Sequence, residues 1–258
     1  MNKQLIEQAQ RAENIKYIFF DYYDTVVHRK VHPLEPFRIW AKLLKRKLGL
    51  GISSIDIYKI RKNSMSFLSD KTGLAESELG YEVVMREVYN RLVNSGEIKS
   101  QTPFSEFLTF CIEYDYQSES GVQYLNRKTV ATVQSLKEEG YKIYCVSDFH
   151  SDEDLMSQLM KFHGIDHLYD KIFVSAAQNA SKENRGVLFE KIMEKEGIFP
   201  KEILMVGDNP ISDVANAQLH GIEAYYLKRY RYKVRQKYLF LIFRMSNWLG
   251  ELKIKGIF

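Results

Sequence analysis

The sequence predicts an α/β fold: a doubly wound parallel sheet, interrupted after its first strand by an inserted helical segment. Three observations predict it. Short apolar runs alternate with segments of helical spacing, which is the rhythm of βαβ units. Glycines fall where each helix should end before the next run. About a hundred residues of mostly helical pattern separate the first apolar run from the second, too many for an ordinary crossover.

Taken in order, the chain opens on MNKQLIEQAQRAENIKY, which is polar and has no apolar core of the signal-peptide kind. The first strand is expected at 15–20, and it runs into FFDYYDTVV at 19–27. The segment 28–127 then reads as helix after helix, at 36–48, 53–69, 76–94 and 104–117. Breaks fall at Gly49-Leu50-Gly51, Lys71-Thr72-Gly73 and Thr102-Pro103. Phe104, Phe107, Phe110 and Tyr114 recur at helical spacing, as the core of such a segment would. From there strands at 141–146, 171–174, 203–206 and 222–227 alternate with helices at 128–139, 152–162, 187–196 and 213–220. Gly140, Gly164, Gly197 and Gly221 close those helices. The expected organisation is a core of 1–27 and 128–227, an inserted helical domain of 28–127, and an extension of 228–258.

Hydrophobic content of 45% and charged content of 27% are those of an ordinary globular protein. No stretch reaches the ~18 uncharged apolar residues that a spanning helix needs. The two cysteines, Cys111 and Cys145, give no disulfide framework, and Cys145 lies inside an apolar run. A reducing, cytoplasmic location is the expectation. The net charge of +4 is unevenly spread. From Lys228 onward there are nine Lys/Arg and one Glu, so the other 227 residues carry a net −4. The tail starts with six basic residues in ten, interleaved with tyrosines, and continues with Leu, Phe, Ile and Trp. It reads as a helix packing its apolar side on the core, with peripheral contact to an anionic membrane face and docking on another protein as the alternatives. No nucleic acid is expected, because no fold that binds it accompanies the patch.

Ligands of an open parallel sheet sit at the carboxyl ends of its strands. Those ends carry Asp21-Tyr22-Tyr23-Asp24-Thr25, Ser147-Asp148, Ser181-Lys182 ahead of the helix at 187, and GDNPISD at 207–213. A hydroxyl, a lysine and several carboxylates suit a hard cation beside an anionic substrate. Carboxylate oxygens bind Mg²⁺, which keeps several waters and sits readily next to a phosphate. The lysine is a point charge for the remaining oxygens.

On these residues the sequence resembles the haloacid dehalogenase-like (HAD) hydrolase superfamily. FFDYYDTVV resembles its first motif, IYCVS its second, SK its third and GDNPISD its fourth. The resemblance covers 15–27 and about 128–227. It implies a Rossmann-like core, and it makes the inserted segment a helical cap. Asp21 would then be the nucleophile, forming an aspartyl-phosphate. Ser147 would bind a phosphoryl oxygen, and Lys182 would neutralise Asp21 and the transferring group. Mg²⁺ would be held by Asp21, the backbone carbonyl of Tyr23, Asp208 and Asp213. Thr25 and Asp148 join Ser147 and Lys182 as expected substrate-binding residues, with Thr25 also ordering the loop. The DxxDT form followed by VSDFHSDEDL resembles a subgroup of hydrolases linked to surface-polysaccharide genes.

The sequence departs from the phosphatase pattern at one position. Phosphatases of the superfamily carry an acid/base aspartate two residues after the nucleophile, and this chain has Tyr23 there. Asp24 comes one position later, where a strand-like backbone would turn it away from the substrate side. General acid–base help is worth ~10²–10⁴-fold, and tyrosine, with a pKa near ~10, is a poor base at neutral pH. Tyr23 is therefore the remaining candidate at the catalytic position. Three outcomes stay open: a stand-in carboxylate from Asp24 or the cap, a leaving group that needs little acid, or a silent site that binds without turnover. Dehalogenases of the superfamily also have tyrosine there, but they need no metal and tend to lack the Gly-Asp pair seen here as Gly207-Asp208. The expected function is Mg²⁺-dependent, phosphatase-type hydrolysis of a small phosphorylated metabolite. A binding or regulatory module is the main alternative, and a 2-haloacid dehalogenase a weaker one. His150, His28 and Arg29 are expected either near the entrance of the site or in ordinary loop, cap and surface roles.

Overall fold

The computed structural model describes residues 1–12, 14–98, 102–229, 234–235 and 237–246. The part of the expected extension at 230–233, 236 and 247–258 lies outside the described residues.

Five strands form one parallel sheet. They are β1 (Tyr17–Phe20), β4 (Lys142–Ser147), β5 (Lys171–Val174), β6 (Ile203–Gly207) and β7 (Glu223–Tyr226), in the order β5-β4-β1-β6-β7. β1 is central, flanked in register by β4 (Phe20 beside Cys145) and by β6 (Phe20 beside Val206). A strand buried on both faces has to be apolar throughout. Accordingly, Ile18, Phe19 and Phe20 are fully buried. Ile18 and Phe20 pack into one core layer and Phe19 into the other, as alternation across the sheet requires.

Six longer helices enclose or extend this sheet: α2 (Glu35–Leu48), α3 (Ser54–Thr72), α4 (Tyr81–Asn94), α5 (Phe104–Ser120), α6 (Arg127–Glu138) and α7 (Glu153–Phe162). The short helix α8 (Ser175–Gln178) and the helix α9 (Val187–Glu196) complete the core. Helices α2 to α5 have an apolar core of their own, built from Trp40, Leu44, Ile57, Met85, Val88 and Phe107 among others. Caps stop and start the helices where the chemistry predicts. Asp152 accepts from the backbone of Leu155 at 2.8 Å, a contact worth ~1 kcal/mol, and Gly197 ends α9 in the left-handed region.

Four features depart from the sequence-based expectation. An N-terminal helix α1 (Lys3–Arg11) packs Leu5, Ile6 and Ala9 on the core. A two-stranded antiparallel sheet pairs β2 (Val27–Arg29) with β3 (Gln123–Leu125) where the chain leaves and re-enters the core. The helix expected over 76–94 is a 3₁₀ turn (Glu76–Glu78) and then α4, because the chain at Leu79 and Gly80 is extended. Finally, Pro210–Ala215 forms a turn of wide helix ahead of a short α-helix, in place of one regular helix over 213–220.

Candidate active site

β1, β4 and β6 end side by side, and their carboxyl ends bring distant motifs to one cavity of about 220 Å³. It is lined by Asp21, Tyr23, Asp24, Ser147, Asp148 and Lys182, together with Glu183, Asp208, Asn209, Ser212 and Asp213. Lys182 is its hub. The buried Nζ donates to Asp21 Oδ1 at 2.7 Å and to Asp213 Oδ1 at 2.6 Å. Burial alone would lower its pKa, but Asp21 and Asp213 outweigh that and hold the ammonium charged. At Asp21 burial pushes the carboxyl well up, Lys182 opposes it, and Asp213 and Asp208 push further the same way.

The lysine is aimed by the turn that carries it. Asp148 accepts the backbone N–H of Lys182 at 2.8 Å and of Glu183 at 3.0 Å, one on each oxygen. Asp148 thus borders the cavity but spends both oxygens on positioning the turn, a role distinct from the substrate contact expected of it. Asp213 is held in the same way, its Oδ2 accepting from the backbone of Asn209 at 2.9 Å. The close approach of Asp213 explains Gly207. A Cβ there would lie 2.1 Å from Asp213 Oδ2, well inside contact distance. Gly207→Ala is therefore expected to displace Asp213. It should lower stability by about 1–3 kcal/mol and turnover at least tenfold, read by chemical unfolding and by rate.

The hydroxyl of Ser147 is buried at the cavity wall and has no hydrogen-bond partner among the described residues. A buried hydroxyl without a partner costs ~1–3 kcal/mol, so this one is set for a ligand atom. Asp21, Asp208 and Asp213 offer carboxylate oxygens within 4.8 Å of one another. Two oxygens across one Mg²⁺ lie at most ~4.2 Å apart, so a slight closure or one bridging water fits the trio to that ion. Charge points the same way. Six carboxylates and one ammonium border the cavity, an excess of negative charge that suits a cation.

Several expected site residues lie elsewhere. Thr25 is fully buried and does not border the cavity. Its carbonyl accepts from Asn126 and Arg229, so it orders the loop and does not bind substrate. Tyr23 borders the cavity, but its hydroxyl accepts from Gln123 at 3.2 Å and bonds Glu119. The Arg29 guanidinium lies 3.5 Å over the same ring. Burial and Glu119 push the Tyr23 pKa well up, with Arg29 opposing, so the phenol stays protonated and faces a structural network. Neither His28 nor Arg29 is a surface residue. Both are buried in β2, and Arg29 makes a bidentate pair with Glu119 at 2.8 and 3.0 Å. His150 is turned away from the cavity, its ring edge-on to Phe37 and 3.9 Å from Asp115 of α5. Asp24, by contrast, reaches the cavity. Its backbone sits in the left-handed region at φ 61°, which breaks the strand alternation assumed from sequence.

The cap meets the core beside Lys182. Glu78 accepts from Ser181 at 2.8 Å, and the 3₁₀ turn also takes bonds from Asn179 and Ser175. No signal in the sequence marked Glu78, Glu119 or Gln123, because isolated acids and amides read as solvent-facing.

A haloacid dehalogenase-like hydrolase family model matches residues 15–221. The chain belongs to this family. Among curated proteins none matches it by sequence. Solved structures share its fold. A 2-haloacid dehalogenase from Pseudomonas syringae pv. Tomato DC3000 aligns with TM-score 0.60 at 18% identity, over 82% of this chain and 86% of that one. The HAD-hydrolase YfnB from Bacillus subtilis, bound to magnesium, aligns with TM-score 0.54 at 15% identity, over 83% and 89%. A HAD phosphatase from Thermococcus onnurineus aligns with TM-score 0.52 at 20% identity, over 83% and 87%. This hydrolase thus has both phosphatases and dehalogenases among its structural neighbours.

Proposed function

We propose that the chain is a Mg²⁺-dependent, phosphatase-type hydrolase of a small phosphorylated metabolite. The observation that carries this reading is the pairing of a three-carboxylate cluster with Lys182 and an unpartnered Ser147 hydroxyl in one cavity. A haloacid would bring a further negative charge and no cation into this acidic cavity, whereas a phosphoryl group bound with Mg²⁺ comes with its counter-charge.

Asp21 attacks phosphorus, and the phosphoryl group passes from the substrate oxygen to the carboxylate as the aspartyl-phosphate. Lys182, already bonded to Asp21 Oδ1, aims that carboxylate and opposes the burial that favours its protonated form. Ser147 donates to a phosphoryl oxygen. Asp21, Asp208 and Asp213 would hold the Mg²⁺, which when bound supplies charge neutralisation for the transferring group. The leaving oxygen needs a proton, and the Tyr23 hydroxyl is committed to Gln123 and Glu119. Asp24 is the nearest replacement in sequence and borders the same cavity. We assign it the acid/base role. The small cavity accepts the phosphoryl group and the first atoms of its leaving group, which is consistent with a small metabolite, a surface-glycan precursor included.

Hydrolysis of an activated aryl phosphate should require Mg²⁺ and stop with EDTA. Asp24→Asn should slow hydrolysis of an alkyl phosphate by ~10²–10⁴-fold and of the aryl phosphate far less, since a good leaving group needs little acid. An equal effect on both substrates would remove Asp24 from that role. The commitment of Tyr23 elsewhere favours a second reading, a module that binds phosphate without turning it over. Phosphate binding with no hydrolysis in either assay would select it.

A further inference from the structure

The C-terminal helix leaves an apolar stripe without a partner among the described residues. Over 237–246 the chain is helical, and one side of this helix packs on the start of α2. Phe243 is buried and stacks on His32 at 4.3 Å, and Ser246 accepts from Arg38 at 2.9 Å. Leu239 and Ile242 line the same groove, so the docked side is 239, 242, 243 and 246, at helical spacing. Val234, Tyr238, Leu241 and Met245 follow spacings of four and three residues on another side, and each is more than half exposed. The helix thus packs one side on α2 of the inserted helical segment, where the sequence-based reading expected the core. Four large apolar side chains at helical spacing are a surface feature, unlike apolar residues scattered singly.

Charge decides the occupant. The segment from Lys228 onward carries nine Lys/Arg and one Glu, and Arg235, Lys237 and Arg244 are exposed on the helix itself. Two copies of this stripe placed face to face would bring like charges together, whereas an anionic bilayer surface is complementary to it. No described helix is long and apolar enough to cross a membrane, so the helix would lie in the interfacial plane. We propose that this helix docks the hydrolase on an anionic lipid surface, with Val234, Tyr238, Leu241 and Met245 entering the acyl boundary and the basic residues meeting the headgroups. The root of this segment is fixed to the body. Arg229 donates to the Thr25 carbonyl, to Thr129 at 3.0 Å and to His28 at 2.7 Å, so a docked helix holds the loop that follows Asp21 near the lipid. This inference is independent of the chemistry proposed for the cavity.

The test is co-sedimentation of the full chain with vesicles of phosphatidylcholine alone and of phosphatidylcholine with phosphatidylserine. Binding is expected to the anionic vesicles only, and to fall steeply as salt rises from about 0.1 M to about 0.5 M. Leu241→Asn with Met245→Asn, on the exposed side, should keep the melting temperature and abolish sedimentation. Arg235→Gln with Lys237→Gln should lower partitioning roughly tenfold or more. Equal binding to neutral vesicles, or variants that bind like the parent, would overturn the proposal. So would a dimer in analytical ultracentrifugation that the Asn pair abolishes while vesicle binding is absent, because the stripe would then belong to a second copy.

Discussion

Asp21→Asn is expected to reduce turnover of an activated aryl phosphate by at least ~10⁴-fold, since an amide oxygen does not form the covalent intermediate. The same change should leave the fold intact, and the reason lies in the electrostatics of the cavity. Asp21 is buried, and its carboxyl is pushed well up by that burial and by Asp213 and Asp208, with Lys182 opposing. A carboxyl whose folded pKa is raised takes up a proton more readily in the native state than in the unfolded one. Its contribution to stability is thus present at low pH and lost as pH rises from the ordinary carboxylate range through the raised value. At neutral pH without Mg²⁺ the ionised Asp21 is a net strain on the native state. Asparagine removes that strain and keeps the shape. In EDTA the variant should melt at or above the parent temperature while being inactive. Added Mg²⁺ should raise the melting temperature of the parent by mass action and that of the variant much less. A variant that still turns over, or one that melts several degrees lower in EDTA, would show that Asp21 is a structural residue.

Asp21, Ser147 and Asp208 were legible from sequence because each follows an apolar run, and the end of a buried strand is a place that sequence marks; Lys182 was marked instead by the Ser-Lys pair ahead of the helix at 187. What those residues touch was less legible. Asp148 looks like a ligand-binding acid until its two oxygens are seen to be taken by the backbone of Lys182 and Glu183. Asp24 was expected to point away because a strand alternates, and its left-handed backbone breaks the alternation locally. β2 and β3 are three residues each and lie almost a hundred positions apart, too short for a periodic signal and too distant for a turn signal. Their pairing is nevertheless what turns His28 and Arg29 inward, where Arg29 meets Glu119 and stacks on Tyr23. The helix α1 is amphipathic, but in sequence its polar residues dominated. The helical reading over 76–94 also ran through Gly80 without showing that the chain straightens there.

The largest expected effect on stability is in the cap. Arg61 and Asp115 are almost completely buried and joined by two bonds of 2.8 and 2.9 Å. Tyr81 donates to the second Asp115 oxygen at 2.7 Å, and the guanidinium lies over Phe37 at 4.1 Å and Trp40 at 4.5 Å. Arg61→Met keeps most of the packing volume but leaves a buried carboxylate with only the Tyr81 phenol and the His150 ring beside it. That should cost about 3–5 kcal/mol at neutral pH. The exposed pair of Arg86 and Glu82, also at 2.7 Å, should contribute no more than ~1 kcal/mol. The pH dependence separates loss of charge pairing from loss of packing. In the parent, burial pushes Asp115 up, but Arg61 overrides it and holds the carboxyl at about 2. A depressed carboxyl contributes stability above its ordinary range near ~3.9, and that contribution is lost as pH falls toward about 2. Without Arg61, burial outweighs what His150 still supplies and the sign reverses: the variant regains stability as acid protonates Asp115. The gap between parent and variant in chemical unfolding should therefore be widest near pH 7 and narrow toward pH 4. Adding Asp115→Leu and Tyr81→Phe to Arg61→Met removes the orphaned groups together and should recover most of the loss. A gap that stays constant with pH, or a triple variant no more stable than the single one, would mean that Arg61 acts by packing on Phe37 and Trp40 and not by its charge.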